Sequence, residues 1–132
     1  MKLLTFILLV LLSNLSCQFQ TNLDCKRFKT GRLKIYSELN NMTYSIIRDK
    51  TKQFETEKET GRESEWEIIW LNDCEYKLIL LKDNSGILTS GQFKTAPSFI
   101  YKIISTTSDY YIFETRIPPA MQLITDTIFL VK

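Results

Sequence analysis

The sequence lacks histidine entirely, although it is 132 residues long. Histidine is the commonest general base and the commonest metal ligand, so its absence removes the usual residue for both roles. Only four glycines are present, and they form no phosphate-cradling loop. Neither a GxSxG elbow nor a CxxC pair occurs. We therefore expect a non-enzymatic protein without catalytic residues or a cofactor.

An excess of charge of either sign is also lacking. The chain has 17 Lys and Arg against 15 Asp and Glu, and removal of Lys2 with a leader would leave 16 against 15. Proteins that bind nucleic acid concentrate basic residues to displace counterions from phosphates. The near-neutral balance therefore argues against a nucleic-acid partner. A hydrophobic content of 44% is ordinary for one folded domain.

The one long apolar run stands at the start of the chain. Lys2 precedes the apolar residues 3–12, and the sequence turns polar at Ser13. A positive head followed by a short apolar segment is typical of a secretory signal peptide. The run is too short to span a bilayer, which needs about 20 apolar residues. We predict a signal peptide over residues 1–17 and a single β domain over residues 18–132, exported to the periplasm or secreted.

Two fates of Cys17 remain open. The segment Leu15-Ser16-Cys17 resembles a bacterial lipobox, in which Cys17 would be lipidated and anchor the protein to the membrane. Asn14 departs from that pattern, because this position usually holds Leu, Val or Ile. In the alternative, Cys17 is the last residue before cleavage and the mature protein is soluble. A lipid on Cys17 is the only membrane attachment that the sequence suggests.

The mature chain then retains two cysteines, Cys25 and Cys74. An exported chain with two cysteines usually pairs them in its oxidising compartment. Such a disulfide closes a loop of about 50 residues and stabilises the fold by roughly 4 kcal/mol in the chain-entropy model. Two isolated thiols without histidine cannot complete a zinc shell, so we expect a disulfide and no metal.

Alternation of apolar and polar residues predicts an all-β protein. No sustained helical period occurs, and the only plausible helical turn lies at residues 119–123. The predicted strands cover residues 32–37, 43–48, 52–60, 63–71, 75–82, 99–107, 110–117 and 127–131. Short links between about eight strands indicate an antiparallel meander, curled or closed into an up-and-down barrel like that of lipocalins. A β-sandwich is the alternative, although Greek-key sandwiches need longer crossovers.

Aromatic residues are the first candidate for a binding site. In a curled sheet, the inward-pointing ones could line a pocket for a small apolar molecule. The candidates for that lining are Trp66, Trp70, Tyr76, Phe99 and Tyr101. The alternative is that these rings simply fill the core, since a small barrel has room for side chains or for one ligand.

A glutamate cluster is the second candidate. Six glutamates occupy odd positions, which predicts one shared face opposite Phe54 and Trp66: Glu55, Glu57, Glu59, Glu63, Glu65 and Glu67. If Phe54 pairs with Ile68, Glu57 lies opposite Glu65, and a hard cation such as calcium could relieve the repulsion. The alternative, which we favour, is a solvated outer face without a metal.

Two segments carry a resemblance to a known family. The segments are CKRFKTG at residues 25–31 and WLNDCEYKL at residues 70–78. They resemble a family of small exported bacterial proteins of unknown function, with a CKxFKTG start and a W-x-x-x-CEYxL hairpin. Some members are labelled DNA topoisomerase IV, which the length and charge of this chain do not support. The TGRL segment at residues 30–33 is similar to the TGxW of lipocalin-like barrels, with Leu33 in place of the tryptophan.

These features lead to two functional expectations. The first is a non-enzymatic envelope protein that binds a small apolar ligand. The alternative is a structural or interaction lipoprotein with a filled core, which binds an envelope protein through its surface.

Overall fold

The computed structural model describes residues 22–85 and 96–132. The predicted signal peptide and Cys17 lie outside these residues. Within the described residues, a 3₁₀ turn at Lys26–Phe28 precedes the strands. The eight strands are β1 (Gly31–Ser37), β2 (Met42–Arg48), β3 (Lys52–Glu57), β4 (Glu63–Asn72), β5 (Glu75–Asp83), β6 (Ser98–Thr106), β7 (Tyr110–Ile117) and β8 (Gln122–Leu130). In this part of the chain no helix has the length and apolarity that a membrane crossing requires.

The strands form a closed up-and-down barrel. Each strand pairs antiparallel with the next, and β1 closes the barrel against β8 through Leu33 with Leu130 and Ile35 with Ile128. Each described strand therefore has a hydrogen-bonded neighbour on both sides, which is how a closed barrel protects its edges. The predicted all-β meander of eight strands is confirmed, and the barrel is formed rather than the alternative sandwich.

Three local predictions were wrong. The strand predicted over residues 52–60 ends at Glu57, because the chain turns before Gly61, which adopts a φ of 72°. No helical turn forms at residues 119–123. A turn there brings the chain into β8 at Gln122, five residues before the predicted start. The basic segment before the first strand forms the 3₁₀ turn, and its Phe28 is completely buried.

The 3₁₀ turn closes one end of the barrel. The predicted disulfide joins Cys25 to Cys74 with their Cα atoms 5.3 Å apart, and so fixes this turn to the β4–β5 hairpin. The ring of Phe28 packs edge-on against Tyr111, with the ring centroids 5.0 Å apart. We call this end of the barrel the closed end. The β1–β2, β3–β4 and β7–β8 turns lie at the other end.

The β4–β5 hairpin supplies much of the core, as its alternation predicts. Its inward side chains are buried: Trp66, Ile68, Tyr76, Leu78 and Leu80. Irregularities in the pairing occur between Glu65 and Trp66 and between Trp70 and Asn72. The first of these places two consecutive residues, Leu81 and Lys82, outside and turns Asp83 inward at 8% exposure. A polar side chain thereby enters the barrel interior.

Candidate ligand cavity

Strand β3 presents the face opposite to the predicted one. Gln53 and Glu57 are 2% and 6% exposed, whereas Phe54 is 40% exposed on the outside. The pairing of β3 with β2 explains this choice, because Arg48 lies opposite Gln53 and both side chains are buried and hydrogen-bonded. Satisfying a buried guanidinium outweighs the burial of one phenylalanine. The prediction of an entirely wet glutamate face is therefore wrong for β3, although Glu67 on β4 does face outward.

The register between β3 and β4 also differs from the predicted one. Phe54 pairs with Glu65, not with Ile68, so Glu57 and Glu65 are not opposite each other. Glu65 forms an ion pair with Lys52 on the outer surface. Glu57 points inward and accepts a hydrogen bond from the hydroxyl of Thr60. Among residues 22–85 and 96–132, no group of three or more potential ligands could hold a metal ion.

A buried arginine organises the closed end. Arg48 is 2% exposed. It donates hydrogen bonds to the Gln53 side chain (2.8 Å), the Phe28 carbonyl (2.9 Å) and the hydroxyls of Tyr76 and Tyr111 (3.2 Å each). Its guanidinium also lies 4.7 Å from the centre of the Tyr76 ring. We call Arg48, Gln53, Tyr76 and Tyr111 the closed-end network.

The closed-end network connects Arg48 to a carboxyl group through an amide. Gln53 accepts from Arg48 with its oxygen and donates to Glu55 through Nε2 at 2.6 Å. In the described part of the chain, no carboxylate lies within 4.0 Å of the Arg48 guanidinium. Burial raises the pKa of Glu55, although its bond from Gln53 and the charge of Arg48 act in the opposite direction. The groups that accept hydrogen bonds from the Arg48 guanidinium are thus neutral. Glu55 is the acidic group that is hydrogen-bonded to the network, through Gln53.

A cavity of about 240 Å³ lies next to the closed-end network. Gln53 and Tyr76 belong to both, so the network forms the floor of the cavity. Leu39 and Asn40 of the β1–β2 turn line the cavity towards the other end of the barrel. Because Leu39 is 62% exposed, the cavity reaches the protein surface there. We call it the barrel cavity.

Four of the five aromatic residues named from the sequence line the barrel cavity: Trp66, Tyr76, Phe99 and Tyr101. The rings of Tyr76 and Tyr101 stack in parallel with centroids 5.1 Å apart, and Trp66 lies 5.9 Å from Phe99. Trp70 is not among the lining residues. Its ring packs against Tyr76 at 4.8 Å and lies under the Lys29 ammonium at 4.9 Å, so it belongs to the closed end.

Acidic groups also line the barrel cavity, at Glu55, Glu57 and Asp126. Burial raises the pKa of Asp126. Arg62 lines the cavity as well, and its Nε lies 3.3 Å from a carboxylate oxygen of Asp83, whose side chain is fully buried. The cavity is therefore aromatic and aliphatic over most of its wall, with carboxyl groups from β3 and β8.

Sequence reasoning did not identify Arg48, Gln53 or Asp126 as parts of a site, and it placed Glu55 on the outer face of the sheet. The sequence does contain one indication of the buried arginine. Arg48 follows Tyr44 and Ile46 at a spacing of two residues, which places its side chain on the inward face of β2. A charged residue at an inward position predicts a buried polar network. The partners of Arg48 come from β3, β5 and β7, and no local pattern reveals them.

No family model, curated protein or solved structure that was compared with the chain matches it. The class of protein therefore follows from the molecule itself. It is an eight-stranded up-and-down β-barrel with one disulfide-tied closed end and an internal cavity.

Proposed function

We propose that the protein is an exported, non-enzymatic binding protein that holds one small, largely apolar molecule inside its barrel. The observation that carries this proposal is the barrel cavity, about 240 Å³ in volume and lined by Trp66, Phe99 and Tyr101. Ligand sites in proteins are concave, mostly apolar and provided with a few polar groups that orient the ligand. Eight-stranded barrels of this kind have room for a single small ligand.

The rigidity of the cavity floor supports a binding role. The Cys25–Cys74 disulfide and the hydrogen bonds of Arg48 hold the closed end in place from several strands. A floor that is already ordered loses little conformational entropy when a ligand binds. Pre-organisation of this kind suits a protein that retains a small molecule.

Export is supported by the disulfide together with the sequence of the first 17 residues. Disulfides persist in oxidising compartments and are rare in the cytosol of mesophiles. The absence of histidine from the chain supports the non-enzymatic part of the proposal, because the commonest general base is lacking.

Native mass spectrometry of protein exported by its own host tests the proposal. We expect a retained small molecule that is released on unfolding. An Ile124→Trp variant should lose it, because Ile124 lines the barrel cavity and a larger ring fills the space. The control is Leu123→Trp at the adjacent outward position, where the native side chain is 49% exposed. Consistent absence of a bound molecule in the wild-type protein would contradict the proposal.

A second candidate function is docking of an envelope protein on the outside of the barrel. Ile69 and Ile100 are 39% and 49% exposed. They flank Lys77 in one cross-strand row, because Lys77 pairs with both. Crosslinking in cells should then give one discrete partner, and an Ile69→Lys, Ile100→Lys variant should abolish that product. Random adducts alone would count against this function.

A further inference from the structure

The barrel cavity contains more acidic than basic groups. Glu55, Glu57 and Asp126 line it, and Arg62 is the only Lys or Arg among its described lining residues. The charge of Arg62 is already met by Asp83 at 3.3 Å. Arg48, in the network below the floor, acts electrostatically on Glu55 and is linked to it through Gln53. Glu57 and Asp126 are therefore the wall carboxyl groups that no lining cation balances.

Glu57 shows this imbalance most clearly. It is 6% exposed and accepts a hydrogen bond from the Thr60 hydroxyl. In the described residues, no Lys or Arg nitrogen lies within 4.0 Å of the carboxyl groups of Glu55, Glu57 or Asp126. A buried carboxylate without a cation is unfavourable, and a bound positive charge would stabilise it.

The aromatic residues of the cavity wall also favour a positively charged ligand. Cations are attracted to the faces of tryptophan and tyrosine rings. At the closed end, the Arg48 guanidinium already lies over one face of Tyr76, 4.7 Å from the ring centre. Trp66 and Tyr101 line the cavity itself, and among the described residues no Lys or Arg lies over either ring.

The cavity volume limits the size of the ligand. A dry cavity of about 150 Å³ holds benzene. The barrel cavity, at about 240 Å³, can therefore hold one ring with a short side chain. A bare metal ion suits it less well, because no group of three potential ligands converges among residues 22–85 and 96–132.

We infer that the ligand of the barrel cavity is a small organic cation, an amine whose ammonium group is bound by Glu57 with Glu55 and Asp126 and whose apolar part contacts Trp66 and Tyr101. This inference rests on the proposed function, since it names the chemistry of the molecule held in the same cavity. Its new element is the charge of the ligand.

Three probes test the charge: phenethylamine (cationic) and 2-phenylethanol (neutral), which are matched in size, and the slightly larger 3-phenylpropionate (anionic). Binding to the full exported protein is followed by calorimetry and by tryptophan fluorescence at neutral pH. We expect phenethylamine to bind at least about tenfold more tightly than 2-phenylethanol, and the anion to bind most weakly. Glu57→Gln should remove most of that preference while leaving the affinity for 2-phenylethanol unchanged.

Glu67→Gln is the matched control, because it removes one negative charge from an exposed position on the outer face of β4. It should retain the preference for the amine. If circular dichroism shows that Glu57→Gln is not folded, Asp126→Asn takes its place, and we expect it to lose the same preference for phenethylamine. Equal or tighter binding of 2-phenylethanol or 3-phenylpropionate overturns the inference and leaves the proposed function standing. Binding of none of the three probes contradicts both.

Discussion

The hydroxyl groups of Tyr76 and Tyr111 lie 2.8 Å apart inside the closed end of the barrel. The two residues come from β5 and β7, which are not neighbours in the sheet. Both hydroxyls also accept a hydrogen bond from Arg48 on β2. The closed-end network thus ties three separate strands across the interior, in addition to the backbone bonds around the wall.

Removal of one of these hydroxyls should weaken the fold. We expect Tyr111→Phe to lower the free energy of unfolding by about 1–3 kcal/mol, because hydrogen bonds to Arg48 and Tyr76 are lost in a buried site. Urea denaturation measures the change. The control is Tyr110→Phe at the adjacent, partly exposed position, for which we expect a change within about 0.5 kcal/mol. Equal effects of the two substitutions would mean that the network contributes little to stability.

Loss of the buried guanidinium should be more costly. Arg48→Met leaves the Gln53 oxygen, the Phe28 carbonyl and two tyrosine hydroxyls without their donor. Each buried acceptor that loses its donor costs about 1–3 kcal/mol, so the loss of several together should exceed the effect of losing one tyrosine hydroxyl. Thermal unfolding followed by circular dichroism gives the comparison with Arg32→Met, which alters an exposed arginine on β1. If the two variants have the same melting temperature, Arg48 is not a structural centre of the barrel.

Reduction of the disulfide should also destabilise the protein. The bridge joins residues separated by 49 positions. The chain-entropy model gives about 4 kcal/mol for a loop of this length. We expect dithiothreitol to lower the guanidinium midpoint of the wild-type protein. A Cys25→Ala, Cys74→Ala variant should unfold at that lower midpoint with or without the reductant. An unchanged wild-type midpoint under full reduction would contradict the expected contribution of the bridge.

The stability of the fold should depend on pH through Glu55. Burial raises the pKa of this carboxyl above its ordinary value of 4.5. Between its unfolded-state and folded-state pKa values, Glu55 holds a proton in the folded protein that the unfolded chain has released. This contribution to stability is fully present below about pH 4.5 and is lost as the pH rises through the folded-state pKa.

Glu55→Gln removes this titration and imitates the neutral form. Relative to the wild-type protein, the variant should gain stability as the pH rises above about 4.5, and the gain should level off once the pH exceeds the folded-state pKa of Glu55. Urea titrations at several pH values measure the difference. Glu67→Gln controls for loss of one negative charge at an exposed site. A difference between Glu55→Gln and wild type that stays constant with pH would contradict the expectation.

The fold was largely predictable because most strands follow a simple alternation. In β4, Trp66 and Ile68 point inward and Glu67 points outward, as the sequence alone indicates. The disulfide was predicted for a different reason, since the expected signal peptide removes or modifies Cys17 and leaves only Cys25 and Cys74 to pair. Strand ends were harder to predict, because Gly61 and Met121 turn the chain through positive φ values rather than through a change of hydrophobic pattern.

The candidate site was only half predictable. Trp66, Phe99 and Tyr101 are large and lie on inward positions, so a cavity lining could be named from them. The acidic part was misassigned because β3 is too polar to reveal its inward face. Phe54 is its one large apolar residue, and it points outward.

The sequence by itself determined the all-β class, the number of strands and the disulfide, because these depend on local alternation and on the count of cysteines. Only the tertiary structure decided which face of β3 is buried. Alternation fixes two possible faces of a strand, and the partner strand selects between them. Here the selection is made where Arg48 on β2 meets Gln53 on β3, and it brings Glu55 and Glu57 into the barrel cavity.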